Sequence, residues 1–580
     1  MDETKNLWYG TSGPQDAEIV LVGEAWGADE WAQKKPFVGS AGTELSRILA
    51  ESGLDRNKIL LTNIVPARPQ GNQMWRFFAG NTPVRSLFPS DIIVEGLDRL
   101  YKQIAASPRK LVIGAGNYAL WALSNCSGYD YAPTKEGAPK GTRVPNGIMN
   151  WRGSMWYCDH DPKETTPFLP IIHPSAIMRQ WSLRAVTVHD LKSRVPMALR
   201  GDWRPRNPPI FWAPPTFEQA KLKLEQWITR ADGGSTIRLV CDIETAKRLI
   251  TCIGFADSDQ FAMCVPFIRL EGKAFADYWT HDQEVILADR IRRILDHPNI
   301  LIEGQNFAYD IAYLENYLAV FPRLDFDSML AHHMLWPGTP KGLDYLSSLY
   351  CTYHWYWKSD NKEWNVKGDL IQHLTYNCTD CVRNFEINTV LRDLIPRLEM
   401  QRQWVETMDR EYLALRMMRR GMRINRERRA QIGRDLALEY ERISHELNTI
   451  IPPWMLPERK KGAKAVPWYR SPTQQKHIFG ELLGMKLPTS RTTGNDTLNK
   501  DALRILAAKH PEFSGIFTRL ESLRSIGVFQ SHFINAPLST DDRMRCSYNV
   551  GGTETFRWSS SKNPFGEGAN LQTIPAGDED

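Results

Sequence analysis

Leu239-Val240-Cys241-Asp242-Ile243-Glu244 is a short apolar run that ends in two carboxylates one residue apart. Side chains alternate faces along a strand, so Asp242 and Glu244 point the same way while Ile243 points into a core. Working outward, Gly304-Gln305-Asn306-Phe307-Ala308-Tyr309-Asp310 leads into a helical pattern at Ile311, Leu314, Tyr317 and Leu318. Asn306 and Asp310 are four apart and share a face if that turn is helical. Tyr376 and Asp380 repeat the spacing in a segment with apolar positions at Val382, Phe385 and Ile387. Four carboxylates converging from three elements can hold two divalent ions roughly 3.5–4 Å apart, the arrangement that phosphodiester hydrolysis uses.

Oxygen ligands suit Mg²⁺ or Mn²⁺, with no thiolate or imidazole required. One ion would polarise the attacking water and the other would stabilise the leaving 3′ oxygen. Tyr376, with an ordinary pKa of about 10, would orient that water rather than deprotonate it. Asn306 would position substrate or a carboxylate. A lone Asp-x-Glu is a weak signal, because short acidic motifs often just end strands at the surface. Three clusters in order carry more.

The ordered set resembles the 3′–5′ proofreading exonuclease of the family-A DNA polymerases, whose type is bacterial polymerase I. The resemblance runs over about residues 208–395 and includes Asp327-Ser328-Met329-Leu330-Ala331 and Lys341-Gly342-Leu343-Asp344-Tyr345-Leu346. It implies a ribonuclease H-like domain in which Asp242, Glu244, Asp310 and Asp380 hold two metal ions and Tyr376 assists. Related exonucleases also act on RNA.

Residues 401–535 resemble the thumb-type helical region of the same family. The amphipathic stretch Met408–Met422 ends in Arg419-Arg420-Gly421-Met422-Arg423-Ile424-Asn425, followed by Ser471-Pro472-Thr473-Gln474-Gln475 and Ile478–Leu483. From residue 536 the chain resembles the start of the palm. Thr555-Phe556-Arg557-Trp558-Ser559-Ser560 is similar to the family's T-G-R-L-S-S, with Phe556 in place of glycine. Asn570-Leu571-Gln572-Thr573-Ile574-Pro575 is similar to N-L-Q-N-I-P. The likeness implies that Arg557 and Gln572 contact DNA, and it disfavours an RNA-processing exonuclease. The family's palm carboxylates and fingers come later than Asp580. The expectation is a truncated or split polymerase that does not polymerise by itself and whose missing palm and fingers belong to the rest of the chain or to a separate subunit.

The first 205 residues carry a second pattern. Ile19-Val20-Leu21-Val22, Ile59-Leu60-Leu61-Thr62, Leu111-Val112-Ile113-Gly114 and Leu169-Pro170-Ile171-Ile172 read as strands separated by helical stretches. Such alternation predicts a parallel α/β sheet with its site at the strand ends. That places Glu24, Phe37, Asn63 and His173 around one pocket, with a helix opening at Thr43 and the second strand ending at Asn63. The quoted residues Gly23-Glu24-Ala25-x-Gly27, Pro36-Phe37-Val38-Gly39, Thr62-Asn63, Arg68-Pro69 and His173-Pro174-Ser175 resemble the uracil-DNA glycosylase superfamily, most closely its iron–sulfur branch, family 4. The resemblance implies a three-layer α/β/α fold and a flipped base. Phe37 would stack on uracil, Asn63 would read its edge, His173 would bond the base oxygen that gains charge, and Glu24 with its backbone would help place the water.

Two departures bear on that likeness. The branch needs four cysteines, yet residues 1–205 hold only Cys126 and Cys158, and Ala67 stands where one ligand would be; no cluster is expected. Trp26 replaces the usual proline and would crowd the water site, so the domain is expected either to excise a base or to be retained for DNA binding or partner contact. Ser124–Asn150 reads as a loop-rich insertion. Gly114-Ala115-Gly116-Asn117-Tyr118-Ala119 matches G-x-G-x-x-A, but no acid follows at the distance a dinucleotide site requires, so the glycines are expected to serve a tight strand-to-helix turn.

At 580 residues and 42% hydrophobic content the chain can fill three or four cores. Domains are expected at 1–205, 206–400, 401–535 and 536–580, with Arg204-Pro205-Arg206-Asn207-Pro208-Pro209 as the first linker. A net charge of +5 leaves DNA affinity to local patches. These are Arg416–Arg420 with Arg426, Arg428 and Arg429, and Arg459-Lys460-Lys461 with Lys464, with Lys460–Ala465 read as a loop over the DNA backbone. Nine scattered cysteines suit reduced thiols, and Cys378-x-x-Cys381 suits packing rather than zinc. With no signal peptide or long apolar run, the location expected is cytoplasmic, in a host cell if the source is a bacteriophage. The implied partners are primer–template DNA, single-stranded 3′ ends and replisome factors, with no membrane. The competing reading is a non-catalytic scaffold half that binds primer–template and docks a separate polymerase subunit.

Overall fold

The run Ile19–Ala25 forms the second strand of a five-stranded sheet ordered Ile59–Val65, Ile19–Ala25, Leu111–Ala115, Pro167–Ile171 and Trp156–Tyr157. All neighbours are parallel except the short Trp156–Tyr157 edge. The strands read as unbroken apolar runs because both faces are covered. Val20, Val22 and Leu60 face one core with Ile93, Leu97 and Leu100 of the Asp91–Ala105 helix. Ile19, Leu21 and Leu61 face another with Leu45 and Leu49 of Gly39–Glu51 and Leu191 and Val195 of Leu183–Arg200. The result is the expected three-layer α/β/α sandwich. Two local boundaries differ from expectation. The strand continues past Asn63 to Val65, and the helix opens at Gly39 rather than Thr43, because positive φ at Phe37 (53°) and Gly39 (76°) turns the chain there.

This computed structural model describes residues 7–574 apart from 79–86, 88, 125–130, 134–142, 159–165, 273, 361–367, 458–465 and 491–493. Most of the Ser124–Asn150 insertion and the Arg459–Lys464 patch lie outside the described residues. Of the insertion, the ribbon Tyr131–Pro133 with Arg143–Pro145 and the turn Ile148–Trp151 are described.

A second, mixed sheet has the order Leu324–Asp327, Ile300–Gly304, Ile237–Ala246, Leu249–Ser258, Phe261–Pro266 and Ile210–Trp212. Ile237–Ala246 pairs in parallel with Ile300–Gly304 and antiparallel with Leu249–Ser258. One face packs on the long helix Leu370–Arg397, where Leu374, Cys378, Cys381 and Val382 meet Val240, Cys252 and Cys264. Cys378 and Cys381 are buried thiols in this contact. On the other face Trp227, from the Phe217–Asp232 helix, sits 6.0 Å from Phe255. Both sheets belong to one compact unit, Met1–Glu406.

The other unit, Thr407–Asp580, is mainly helical. Asn425 caps the Arg426–Ile450 helix by accepting from the Arg428 N–H. That helix shares a core with Lys500–Lys509 and Ser514–Phe529 through Ile443, Leu447, Leu503, Leu506, Phe517 and Leu520. Toward the C-terminus two short ribbons form, Met422–Arg423 with Arg543–Met544 and Ser547–Asn549 with Ser559–Ser561.

Candidate functional sites

Strand alternation sets Asp242 and Glu244 side by side at the end of Ile237–Ala246, with Ile243 buried between them. The Leu370–Arg397 helix brings Asp380 over the same strand end. Ligand oxygens of Asp242, Glu244 and Asp380 all lie within 4.8 Å of one another. Tyr376 stands one turn before Asp380 on that helix. Asp310 is close but differently engaged: its Oδ1 accepts from the Ile243 N–H at 2.9 Å, tying the start of the Ala308–Leu318 helix to the strand. Asn306 departs from expectation. It precedes the helix in a left-handed bend at φ 54°, so it does not share a helical face with Asp310. The bend is fixed by Asp327, whose carboxylate accepts from the Phe307 and Leu330 N–H groups at 2.9 and 3.1 Å.

Burial, and then the neighbouring Asp380 charge, pushes the Asp242 carboxyl up to about 8. Glu244 and Asp310 are also raised, by burial first and then by Asp242. Like charges crowded this closely favour a bound cation, and hard oxygen donors fit Mg²⁺ or Mn²⁺.

Three residues of the centre have no place in the sequence motifs. Asn377 donates through Nδ2 to Asp242 Oδ2 at 2.7 Å and to the Asp242 carbonyl at 3.3 Å. Trp357 Nε1 donates to Asp380 Oδ1 at 2.6 Å, and Lys358 Nζ donates to Asp380 Oδ2 at 2.6 Å and to the Tyr376 hydroxyl at 2.9 Å. Asn377 follows Tyr376 directly and could have been noticed. Nothing marks Trp357 and Lys358, which reach the helix only through the fold. Removing the hydrogen bond that orients Asp242 should weaken metal binding about 10–100-fold. In Asn377→Ala the half-saturating Mn²⁺ concentration, read by electron paramagnetic resonance, is expected to rise by that factor with the melting temperature in EDTA little changed.

In the first sheet, Asn63 lies near the end of Ile59–Val65, Phe37 follows the neighbouring Ile19–Ala25, and His173 follows Pro167–Ile171, two strands further along. The Phe37 and His173 rings are 6.2 Å apart and tilted by 31°. Phe37 keeps its left-handed backbone because Glu30 Oε1 accepts its N–H at 2.5 Å and Arg56 donates to its carbonyl at 2.7 Å. Gly23 lets the Asn63 amide and the Phe37 ring pack against its backbone, since a Cβ there would lie 2.2 Å from Asn63 Oδ1 and 2.6 Å from the Phe37 ring. Asn63 is buried, with no hydrogen-bond partner at Nδ2. His173 Nδ1 accepts from the Ser175 N–H at 3.2 Å, which leaves the ring's proton on Nε2. Burial, and then Arg179, lowers its pKa to about 4, so the imidazole is neutral at pH 7. Trp26 is buried, and its indole N–H bonds the Trp8 carbonyl.

The Glu24 carboxyl is held at the start of a helix. Backbone N–H groups of Tyr118 and Asn117, at the start of Asn117–Leu123, bond its carboxyl, and a Cβ at Gly116 (φ 94°) would lie 2.2 Å from it. The Gly114–Ala119 segment is thus the tight turn expected of it, and the Glu24 carboxyl occupies the helix start. Burial raises Glu24 from 4.5 to about 7. Between those values the folded chain keeps a proton that the unfolded chain releases. This contribution to stability is complete below pH 4.5 and lost as the pH rises through about 7. Glu24→Gln should remove it, so the melting temperature should fall less from pH 5 to 8 than in the wild type. An identical pH slope in both proteins would contradict the shift.

A four-thiolate cluster does not fit this domain. Residues 1–205 contain only Cys126 and Cys158, and Ala67 is part of the apolar core.

In the second unit, Ser560 Oγ bonds Asn570 Oδ1 and Gln572 Nε2 donates to the Trp558 carbonyl at 3.2 Å, so the two late motifs pack together. Arg557 is exposed, its backbone held by Thr553 Oγ1. Phe556 adopts φ 60°, a conformation glycine takes freely. Gln572 therefore braces the loop that presents Arg557.

The first sheet defines a parallel α/β domain that gathers an aromatic ring, a buried amide and a neutral imidazole at one side. Residues 10–192 match the model of the uracil DNA glycosylase superfamily. A type-4 uracil-DNA glycosylase of Pyrobaculum aerophilum is 39% identical over 179 residues, which cover 31% of this chain and 77% of that protein. One of Archaeoglobus fulgidus is 27% identical over 192 residues, 33% of this chain and 82% of that protein. Through this N-terminal domain the chain belongs to the uracil-DNA glycosylase superfamily. A DNA polymerase of Bacillus phage SP01 is 22% identical over 348 residues, 55% of this chain but only 33% of that polymerase. The POL domain of Pol1 from M. smegmatis, solved with DNA primer-template and dNTP, gives a TM-score of 0.43 at 17% identity, covering 62% of this chain and 55% of that one. Among the described residues, no helix is long and apolar enough to cross a membrane.

Proposed function

We propose that the chain is the N-terminal part of a family-A DNA polymerase, that Asp242, Glu244, Asp310 and Asp380 form a metal-dependent 3′–5′ exonuclease, and that the N-terminal domain removes uracil or a related base from DNA. The observation that carries the exonuclease is the meeting of Asp242, Glu244 and Asp380 within 4.8 Å, with Tyr376 one turn away. The likeness to a phage polymerase over 55% of the chain supports DNA as substrate.

Divalent ions held by these carboxylates would supply Lewis acidity to the scissile phosphate. Asn377 orients Asp242, and Trp357 orients Asp380. Burial raises the Tyr376 hydroxyl well above its ordinary pKa, so it stays protonated and donates a hydrogen bond to the attacking water. Lys358 is held charged against burial by Asp380 and Tyr376, and it offers its ammonium to the phosphate as the strand enters.

In the glycosylase pocket Phe37 supplies the stacking face and Asn63 its unpartnered amide to the base edge. Neutral His173 presents Nε2–H where negative charge grows on the base oxygen. Excision needs no metal.

One gel tests both activities: a 5′-labelled strand with an internal uracil, incubated in Mg²⁺ or EDTA and then treated with alkali. Expected are a ladder from the 3′ end in Mg²⁺ and a single alkali-dependent cut at uracil in EDTA. An intact strand in Mg²⁺, with primer–template still bound, favours the scaffold reading.

A further inference from the structure

Two buried arginines of the glycosylase domain hold the segment that reaches the carboxylate centre. Arg194, on Leu183–Arg200, donates to three backbone carbonyls: Ser348 at 3.0 Å, Cys351 at 3.2 Å and Thr352. Arg152 donates through Nε to Asp190 Oδ2 at 2.7 Å and through Nη1 to Ser348 Oγ at 2.9 Å. Arg152, Asp190 and Arg194 are all buried. Arg194 thus caps the carbonyl end of the Leu343–Tyr350 helix, where backbone oxygens would otherwise lack partners, and Arg152, held by Asp190, braces the same turn through the Ser348 hydroxyl.

The next residues alternate between the domains. The Met155 N–H bonds the His354 carbonyl at 3.1 Å, and the Tyr356 N–H bonds Ser154 Oγ at 3.1 Å. Tyr356 packs in the N-terminal core, edge-on to Trp151 at 5.1 Å. Trp357, its immediate neighbour, packs in the exonuclease core and bonds Asp380 Oδ1; Lys358 then bonds Asp380 Oδ2 and Tyr376. Both oxygens of Asp380 are thus oriented by a strap whose other side is anchored in the glycosylase domain.

We propose that Arg194 and Arg152 of the glycosylase domain are positioning residues for the exonuclease, acting through the 351–358 strap to set Asp380, Tyr376 and Lys358. The inference rests on the exonuclease reading. It makes the N-terminal domain a structural part of the 3′ nuclease, whatever its own activity.

The test uses the full chain with Arg194→Met, the milder Ser154→Ala, and Arg184→Ala as a control. Arg184 bonds Glu44 and Glu51 inside the N-terminal domain and does not touch the strap. Deuterium uptake of a peptide spanning 351–358 is expected to speed up about tenfold in Arg194→Met and less in Ser154→Ala, with uptake in both sheets unchanged. Half-saturating Mn²⁺ is expected to rise about tenfold in Arg194→Met, and kcat on a single strand to fall with KM unchanged. Arg184→Ala should match the wild type in every readout. Unchanged uptake overturns the proposal, as does a loosened strap whose Mn²⁺ affinity is unchanged or tighter. A wild-type chain that binds no Mn²⁺ sinks the exonuclease reading instead, and uptake at Trp357 and Lys358 then decides by itself whether the N-terminal domain holds the strap.

Discussion

Replacing Asp242 and Glu244 together by alanine should abolish 3′-end digestion, a loss on the order of a thousandfold or more, about 4 kcal/mol of transition-state stabilisation. The two carboxylates come from one strand face and would supply two of the three ligands whose oxygens lie within 4.8 Å of one another. On the proposed reading, Asp380 and Asp310 alone would not place a divalent ion against the scissile bond. The fold should not suffer. Burial and mutual repulsion hold both groups above the ordinary carboxylate range, so in EDTA they are a strain on the protein rather than a support. The double variant should therefore melt in EDTA no lower than the wild type, and uracil excision should be untouched. Wild-type digestion by this variant would end the metal assignment. Loss of digestion with a collapsed melting transition would mean that the carboxylates serve the fold instead.

His173→Ala should cut uracil excision by about a hundredfold to a thousandfold, the usual effect of removing one preorganised donor from a developing oxyanion. The donor is set up in advance. Ser175 fixes the tautomer through Nδ1, and burial keeps the ring neutral down to about pH 4. Single-turnover excision from a uracil-containing strand in EDTA checks it. Digestion in Mg²⁺ should stay at the wild-type level, because His173 belongs to the other sheet. If the wild type excises uracil and His173→Ala does so equally fast, the donor role is wrong. If neither cleaves uracil, the slot between Phe37 and Asn63 serves a different base or binding alone.

The paired residues of the carboxylate centre were legible because each pair is a local pattern. Period-2 alternation puts Asp242 beside Glu244, and i, i+4 spacing puts Tyr376 beside Asp380 on a helix. The parallel sheet was equally legible, since strands covered on both faces must be apolar throughout. Asn306 shares no helical face with Asp310, because a bend that Asp327 holds from 21 residues further on interrupts the helical spacing.

By itself the sequence determined the two α/β cores, the order of the acidic clusters and the glycine-lined turns, all of which depend on neighbours within a few residues. Which atoms the site uses depended on contacts between distant segments. Glu24 is spent on a helix start near residue 117, and Arg152 and Arg194 reach across to Ser348. Only the tertiary structure decided that Trp357 and Lys358 hold Asp380, because such hydrogen bonds require positions within about 3 Å that no periodicity encodes.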